Sequence, residues 1–145
     1  MAEKTIFERI ASKEIPARIV YEDEIVVAFL DANPNHKGHT LVAPRNPHAD
    51  IFALPEEMTG HLFSVAKDAA TAVRVATGAT GINLVMNNGA SAGQDVFHAH
   101  VHVIPRREND GGYLGLHEPY ASDAEADEYA EKIRGALEKI RKPRD

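Results

Sequence analysis

From Pro55 to about Thr77 the apolar residues Met58, Leu62, Val65, Ala69, Ala72, Val73 and Ala76 recur at three- and four-residue intervals. That spacing gathers them on one face of an α-helix, with Pro55 suited to the first turn and Gly78 to the end. A second stripe, Ala126, Tyr129, Ile133, Leu137 and Ile140, follows Ser122-Asp123-Ala124-Glu125 and predicts a capped helix from Ser122 to about Arg141. A short helix over Thr5 to Ser12 has Ile6, Phe7 and Ile10 on its apolar side and stops before Ile15-Pro16. Strand character appears at Arg18–Tyr21 and Ile25–Leu30, joined by an acidic turn, then at Thr40–Ala43, Ile82–Met86 and Phe97–Ile104. Strands joined mainly by short turns, with helices outside the strand runs, predict an α+β domain on a largely antiparallel sheet. Arg106 to Ala121 reads as a glycine-containing loop, and the last four residues are expected to fray.

Composition narrows the function. A chain of 145 residues fits one domain with a real core, and 43% hydrophobic with 26% charged residues is ordinary for a globular protein. No apolar run approaches the roughly 18 residues of a membrane span, and MAEKTIFERI lacks the pattern of a secretory signal, so the expected location is cytoplasmic. The absence of cysteine excludes disulfides, thiol catalysis and thiolate zinc sites. A net charge of −6 without a Lys/Arg stripe argues against nucleic acid as partner. It does not exclude one small phosphate ligand, which a local nest of N–H groups attracts against the overall field.

The candidate chemistry lies in HAHVHVIPR, where His98, His100 and His102 alternate with Ala99, Val101 and Val103. In an extended strand the three imidazoles share one face, about 6 to 7 Å apart. Near neutral pH such a row can hold one neutral ring as nucleophile and another, protonated, as acid. That division of labour suits attack on phosphorus through a phosphohistidine ester. The preceding loop Asn87-Asn88-Gly89-Ala90-Ser91-Ala92-Gly93-Gln94 lets backbone N–H groups approach phosphate oxygens, and Asn87 and Gln94 add side-chain donors.

The alternating triplet, together with TIFERI, KEIPARIVYEDE, AFLDANP, KGHTLVAPR and NNGASAGQ, resembles the histidine triad (HIT) family over residues 3 to 107. The resemblance is to the Hint-like, bacterial branch of nucleotide hydrolases. It implies a five-stranded, largely antiparallel sheet with a long helix after the third strand and a C-terminal helix. The chain then reads as a single HIT-like domain over 1–145, with a loop and helix over 108–145. The implied activity is hydrolysis or transfer at the α-phosphorus of a purine nucleotide of AMP type, by a phosphoramidase or a dinucleoside polyphosphate hydrolase, usually a homodimer. In that likeness His100 matches the nucleophile and His102 the residue that bonds the phosphate and helps the leaving group depart. His98 matches a supporting group with His39 behind it, and Gln94 a side chain near the leaving group. Asp31 matches the carboxylate that accepts from the ribose hydroxyls, Phe7, Ile10 and Phe29 the walls around the base, and Asn87 and Gly93 the phosphate-loop contacts.

Two positions depart from the pattern. Asp95 stands beside the phosphate where relatives have Ser or Thr, and an ionised carboxylate there repels substrate unless it turns away or pairs with a protonated His. Thr5 and Glu8 occupy positions where some bacterial relatives carry a CxxC zinc pair. With the thiolates gone no structural zinc and no cofactor is expected, although His48 and His98 remain possible ligands. Two other function classes stay open: a metal-binding protein built on the alternating histidines, and a nucleotide-sensing module without turnover.

Overall fold

The computed structural model describes residues 3–141, so the expected fraying of 142–145 lies outside the described residues. The chain runs α1 (Ile6–Ala11), β1 (Ile19–Glu22), β2 (Val26–Leu30), β3 (Thr40–Pro44), a 3₁₀ turn (Ile51–Ala53), α2 (Glu56–Thr77), β4 (Gly81–Val85), a 3₁₀ turn (Ala90–Ala92), β5 (Val101–Arg106) and α3 (Asp123–Ile140). The strands form one sheet in the order β1-β2-β3-β5-β4, every neighbouring pair antiparallel. The fold is therefore the five-stranded α+β architecture that the sequence resemblance implies.

The register divides the side chains between two layers. Leu30, Val42, Val101 and Val103 face α2 and α3, where Leu62, Val65 and Val73 meet Ile133 and Leu137 in the larger core. Fully burying one such aliphatic side chain stabilises the fold by roughly 1.5–3 kcal/mol. On the other face Phe29 pairs with Leu41 and Leu41 with His102, so one row crosses three strands beneath α1. Phe7, Ile10 and Ala11 of α1 close over it. Helix α3 is fastened to the β1 edge by Arg134, which donates to the Ile19 carbonyl at 2.8 and 3.1 Å.

Two local expectations differ from what forms. At α3, Ser122 accepts from Glu125 N–H, but the Glu125 carboxylate accepts from Ala121 N–H rather than from Ser122 itself. The reciprocal capping box is instead at α1, where Thr5 accepts from Glu8 N–H and the Glu8 carboxylate accepts from Thr5 N–H. The second difference concerns the triplet. Regular pairing in β5 begins at Val101, so His98 and His100 precede the strand and only His102 lies within it. The cause is visible opposite: β3 ends at Pro44, which has no N–H to donate to a ladder. Ala99 N–H turns to the His48 carbonyl instead, at 2.6 Å. Alternation between the faces survives, since Ala99 and Val101 enter the larger core while His98 and His100 lie against Phe7.

Candidate functional site

Beneath α1 the histidines are fixed by hydrogen bonds that also decide which nitrogen of each ring carries hydrogen. His98, fully buried, lies 2.6 Å from the Pro44 carbonyl through Nε2 and 2.6 Å from the Thr5 hydroxyl through Nδ1. A carbonyl can only accept, so Nε2 carries the hydrogen and Nδ1 accepts from Thr5. His100 Nδ1 donates to the His98 carbonyl at 2.7 Å. Its Nε2 therefore keeps a lone pair in the neutral ring. No buried side-chain nitrogen or oxygen among the described residues lacks a partner, so the unpartnered His100 Nε2 reaches solvent.

His39 belongs to a different chain of contacts from the one expected. It does not back His98, which is held by Thr5; it lies against His102, with Nε2 and Nδ1 2.9 Å apart. Asn35 N–H donates to His39 Nδ1 at 3.1 Å, so His39 holds its hydrogen on Nε2 and gives it to His102 Nδ1. Neutral His102 then carries its own hydrogen on Nε2, without a protein partner among the described residues. The order Asn35, His39, His102 thus ends in an N–H donor, whereas the order Thr5, His98, His100 ends in a lone pair.

The rings are closer than an ideal strand allows. His100 and His102 stand 4.9 Å apart between centroids, because His100 lies outside the regular strand. Burial pushes the pKa of all four rings down: His39 to about 3 and His102 to about 4, with His98 and His100 also lowered. Asp31 and Asp95 act on His100 and His102 in the opposite sense. Burial therefore favours the neutral form of each ring, and a protonated acid in this row needs a nearby negative charge to offset that burial.

Asp31 follows β2 on the Phe29 face, and burial raises its pKa against the Asn33 N–H that donates to Oδ1 at 2.9 Å. Its Oδ2 is 3.7 Å from His39 Nε2, which is not an ion pair while His39 is neutral. A cavity of about 650 Å³ opens beside it, lined by Phe7, Ile10, Phe29, Asp31 and Leu41. The four residues that the resemblance assigns to nucleoside contact thus surround one space. Phe7 joins it to the triplet, with its ring centroid 4.8 Å from that of His100.

The loop residues behave differently. Gln94 is buried and its carboxamide is spent on main chain: Nε2 donates to the Ala49 and Val96 carbonyls, and Oε1 accepts from Gly89 N–H. It shapes the loop, and both of its N–H groups are already engaged. Asn87 makes a single long contact, 3.5 Å, to the Gly93 carbonyl, and Gly93 takes φ +94°, a conformation open to glycine. Asp95 is exposed, yet its charge is felt by His100 and His102.

Sequence reasoning missed Thr5 and Asn35, whose contacts fix the two relays, and Tyr120, whose hydroxyl accepts from Gly38 N–H at 2.8 Å next to His39. Gly38 itself is required: φ is +101°, and a Cβ would lie 2.7 Å from Thr77 Cγ2. Only the capping pattern Thr5-x-x-Glu8 was readable beforehand. Among the described residues one group has metal-ligand geometry, Asp31, His39 and His102, with ligand atoms within 4.8 Å of one another. A cation there would have to displace the hydrogen shared by the two rings. His98 has both nitrogens engaged, which removes the suggested pairing with His48 unless Thr5 or Pro44 gives way.

Comparison with known proteins places this geometry in a family. The chain is 42% identical over 131 residues to an uncharacterized HIT-like protein of Methanocaldococcus jannaschii, covering 90% of this chain and 98% of that one. It is 37% identical over 105 residues to a protein of Arabidopsis thaliana named adenylylsulfatase HINT3, covering 72% of this chain and 53% of that protein. A crystal structure of a hypothetical histidine triad nucleotide-binding protein from Sulfolobus tokodaii superposes with a TM-score of 0.84 at 32% identity, covering 92% of each chain. The HIT domain family model matches residues 12–109. With His98, His100 and His102 inside that match, the chain belongs to the HIT family.

Proposed function

We propose that the protein is a nucleotide hydrolase or transferase that attacks the α-phosphorus of a purine nucleotide through His100. The observation that carries this reading is the tautomer of His100: Nδ1–H is held by the His98 carbonyl, which leaves the Nε2 lone pair facing solvent beside the aromatic cavity. A neutral ring so oriented is a ready nucleophile and needs no prior deprotonation. The relatives named adenylylsulfatase and nucleotide-binding protein support the same class of ligand.

The residues divide the reaction as follows. His100 Nε2 forms a bond to phosphorus while the bond from phosphorus to the leaving group breaks, and the departing atom keeps the electron pair. His102 presents Nε2–H to the phosphate. The bound anion, with Asp31 and Asp95 already pulling the same way, raises the pKa of His102 so that it takes a proton on Nδ1; His39 moves its own hydrogen from Nε2 to Nδ1, giving up the Asn35 N–H contact, and accepts from His102. Nε2–H then passes to the leaving group. In the second step water attacks phosphorus, the P–N bond breaks, and His102 Nε2 takes the proton of water. Asp31 offers its open oxygen to the ribose, and Phe7, Ile10 and Phe29 pack on the base.

We read the leaving group as an amine or a second nucleotide, the location as cytoplasmic and the assembly as a homodimer. No helix among the described residues is long and apolar enough to cross a membrane. The open edge of β4, with Leu84 46% exposed, supports a second copy docking there. The deciding experiment quenches His102→Ala after brief incubation with adenosine 5′-phosphoramidate. The expected result is a mass increase of one AMP that vanishes when His100→Gly is added; no adduct and no turnover with any adenylyl donor overturns the reading. Metal binding is a second reading, favoured by the convergence of Asp31, His39 and His102. Stoichiometric metal in protein purified without added ions, lost in Asp31→Asn, would replace the first.

A further inference from the structure

The cavity continues past the residues of the histidine site. It is also lined by Arg18 together with Pro119, Tyr120, Ser122 and Asp123. Residues 119–126 lie beyond the matched HIT domain, which ends at 109. Apart from Arg18, this wall therefore comes from outside the matched domain, held in place because α3 is tied to the β1 edge by Arg134.

Its polar groups form a paired donor and acceptor. Arg18 is anchored through Nε to Asp127 at 2.7 Å, and its Nη2 contacts Asp123 Oδ1 at 3.2 Å. Arg18 Nη1 and Asp123 Oδ2 have no hydrogen-bond partner among the described residues. The Asp123 side chain is 98% exposed. A surface ion pair of this kind is worth little, so exchanging part of it for contacts to a ligand costs little. Asp127 keeps the guanidinium in position while that exchange occurs.

Resting on the nucleotide reading above, we infer that Arg18 and Asp123 read the edge of the base and select guanine over adenine. With the phosphate at His100 and His102, the ribose at Asp31 and the ring against the contacting Phe7 and Phe29, the edge remote from the sugar is left for the Arg18 and Asp123 wall of the same cavity. Guanine presents there one acceptor, O6, next to two donors, N1–H and the 2-amino group. Arg18 supplies an N–H to O6, and the Asp123 carboxylate accepts from both donors in the two-bond geometry that makes carboxylates discriminating partners. Adenine has a single amino donor and an unprotonated N1 on the same edge, so the second carboxylate oxygen is left without a hydrogen.

Equilibrium binding of GMP, IMP and AMP to the wild-type protein and to Asp123→Asn tests this without depending on turnover. GMP is expected to bind roughly tenfold more tightly than AMP, in line with one bidentate base contact. IMP, which keeps O6 and N1–H but lacks the 2-amino group, should fall between them. Asp123→Asn should bring the GMP to AMP ratio close to unity, chiefly through GMP. Equal affinities in the wild type, IMP as tight as GMP, or a ratio untouched by Asp123→Asn each overturn the assignment while leaving the nucleotide reading intact. Failure of all three nucleotides to bind overturns both.

Discussion

The two faces of the sheet are built from the same strands to opposite ends. Toward α2 and α3 the strands send Val42, Val101 and Val103 into a layer closed by Leu62, Ile133 and Leu137. Toward α1 they send Phe29, Leu41 and the histidines, covered by one helix of six residues. The first face gains stability from area removed from water. The second buries His39, His98 and His100 and half-buries His102, which costs stability unless each is hydrogen-bonded. Every one of them is, except at Nε2 of His100 and of His102. The comparison teaches that the apolar layer carries the fold while the other face spends part of that stability on holding two ring nitrogens open.

The sharpest way to break the comparison is to damage each face in turn. His102→Ala should slow the chemical step by roughly 10²- to 10⁴-fold, the range for a positioned acid–base group, with little change in the denaturation midpoint. Single-turnover kinetics and urea unfolding of the same sample check both halves; a rate insensitive to the change would remove His102 as the acid. Leu62→Ala on the other face should do the reverse. It should cost about 2–5 kcal/mol of stability with single-turnover rates near wild type under folding conditions.

Acid should separate the faces as well. Unfolded imidazoles titrate near 6.5, but burial holds His39 at about 3 and His102 at about 4, so between these values the unfolded chain binds more protons. Their contribution is therefore fully present above pH 6.5 and is lost as pH falls toward 4. Asp23, held at about 2 by its partners although burial opposes them, adds loss in the same direction below its ordinary range. Asp31, raised by burial, works the other way. The net expectation is a fall in stability on the order of 1 kcal/mol from pH 7 to pH 4, about the worth of one pKa unit, flattened in His39→Asn. Unfolding free energies across that range check it.

The smallest effect concerns the buried end of the first relay. Thr5→Val keeps the shape but removes the hydroxyl that accepts from Glu8 N–H and donates to His98, and should cost about 1 kcal/mol. Nitrogen chemical shifts of His98 should then show Nδ1 changing environment while His100 retains its tautomer. A stability equal to wild type with unaltered shifts would mean that Pro44 alone holds the ring.

The sequence by itself determined the elements and their faces. Helical periodicity placed α2 and α3, and strict alternation sent His100 and His102 away from Val101 and Val103, because a side chain's face follows from the backbone repeat alone. What only the tertiary structure decided was which atoms of those rings are open. Thr5 meets His98 across 93 residues and His39 meets His102 across 63, and no local pattern records such pairings. The same holds for the reach of Gln94 to Ala49, which ties its carboxamide to the loop, and for the C-terminal wall of the cavity. A residue's type fixes what it can donate or accept; only the packed chain fixes which of those capacities remains unspent.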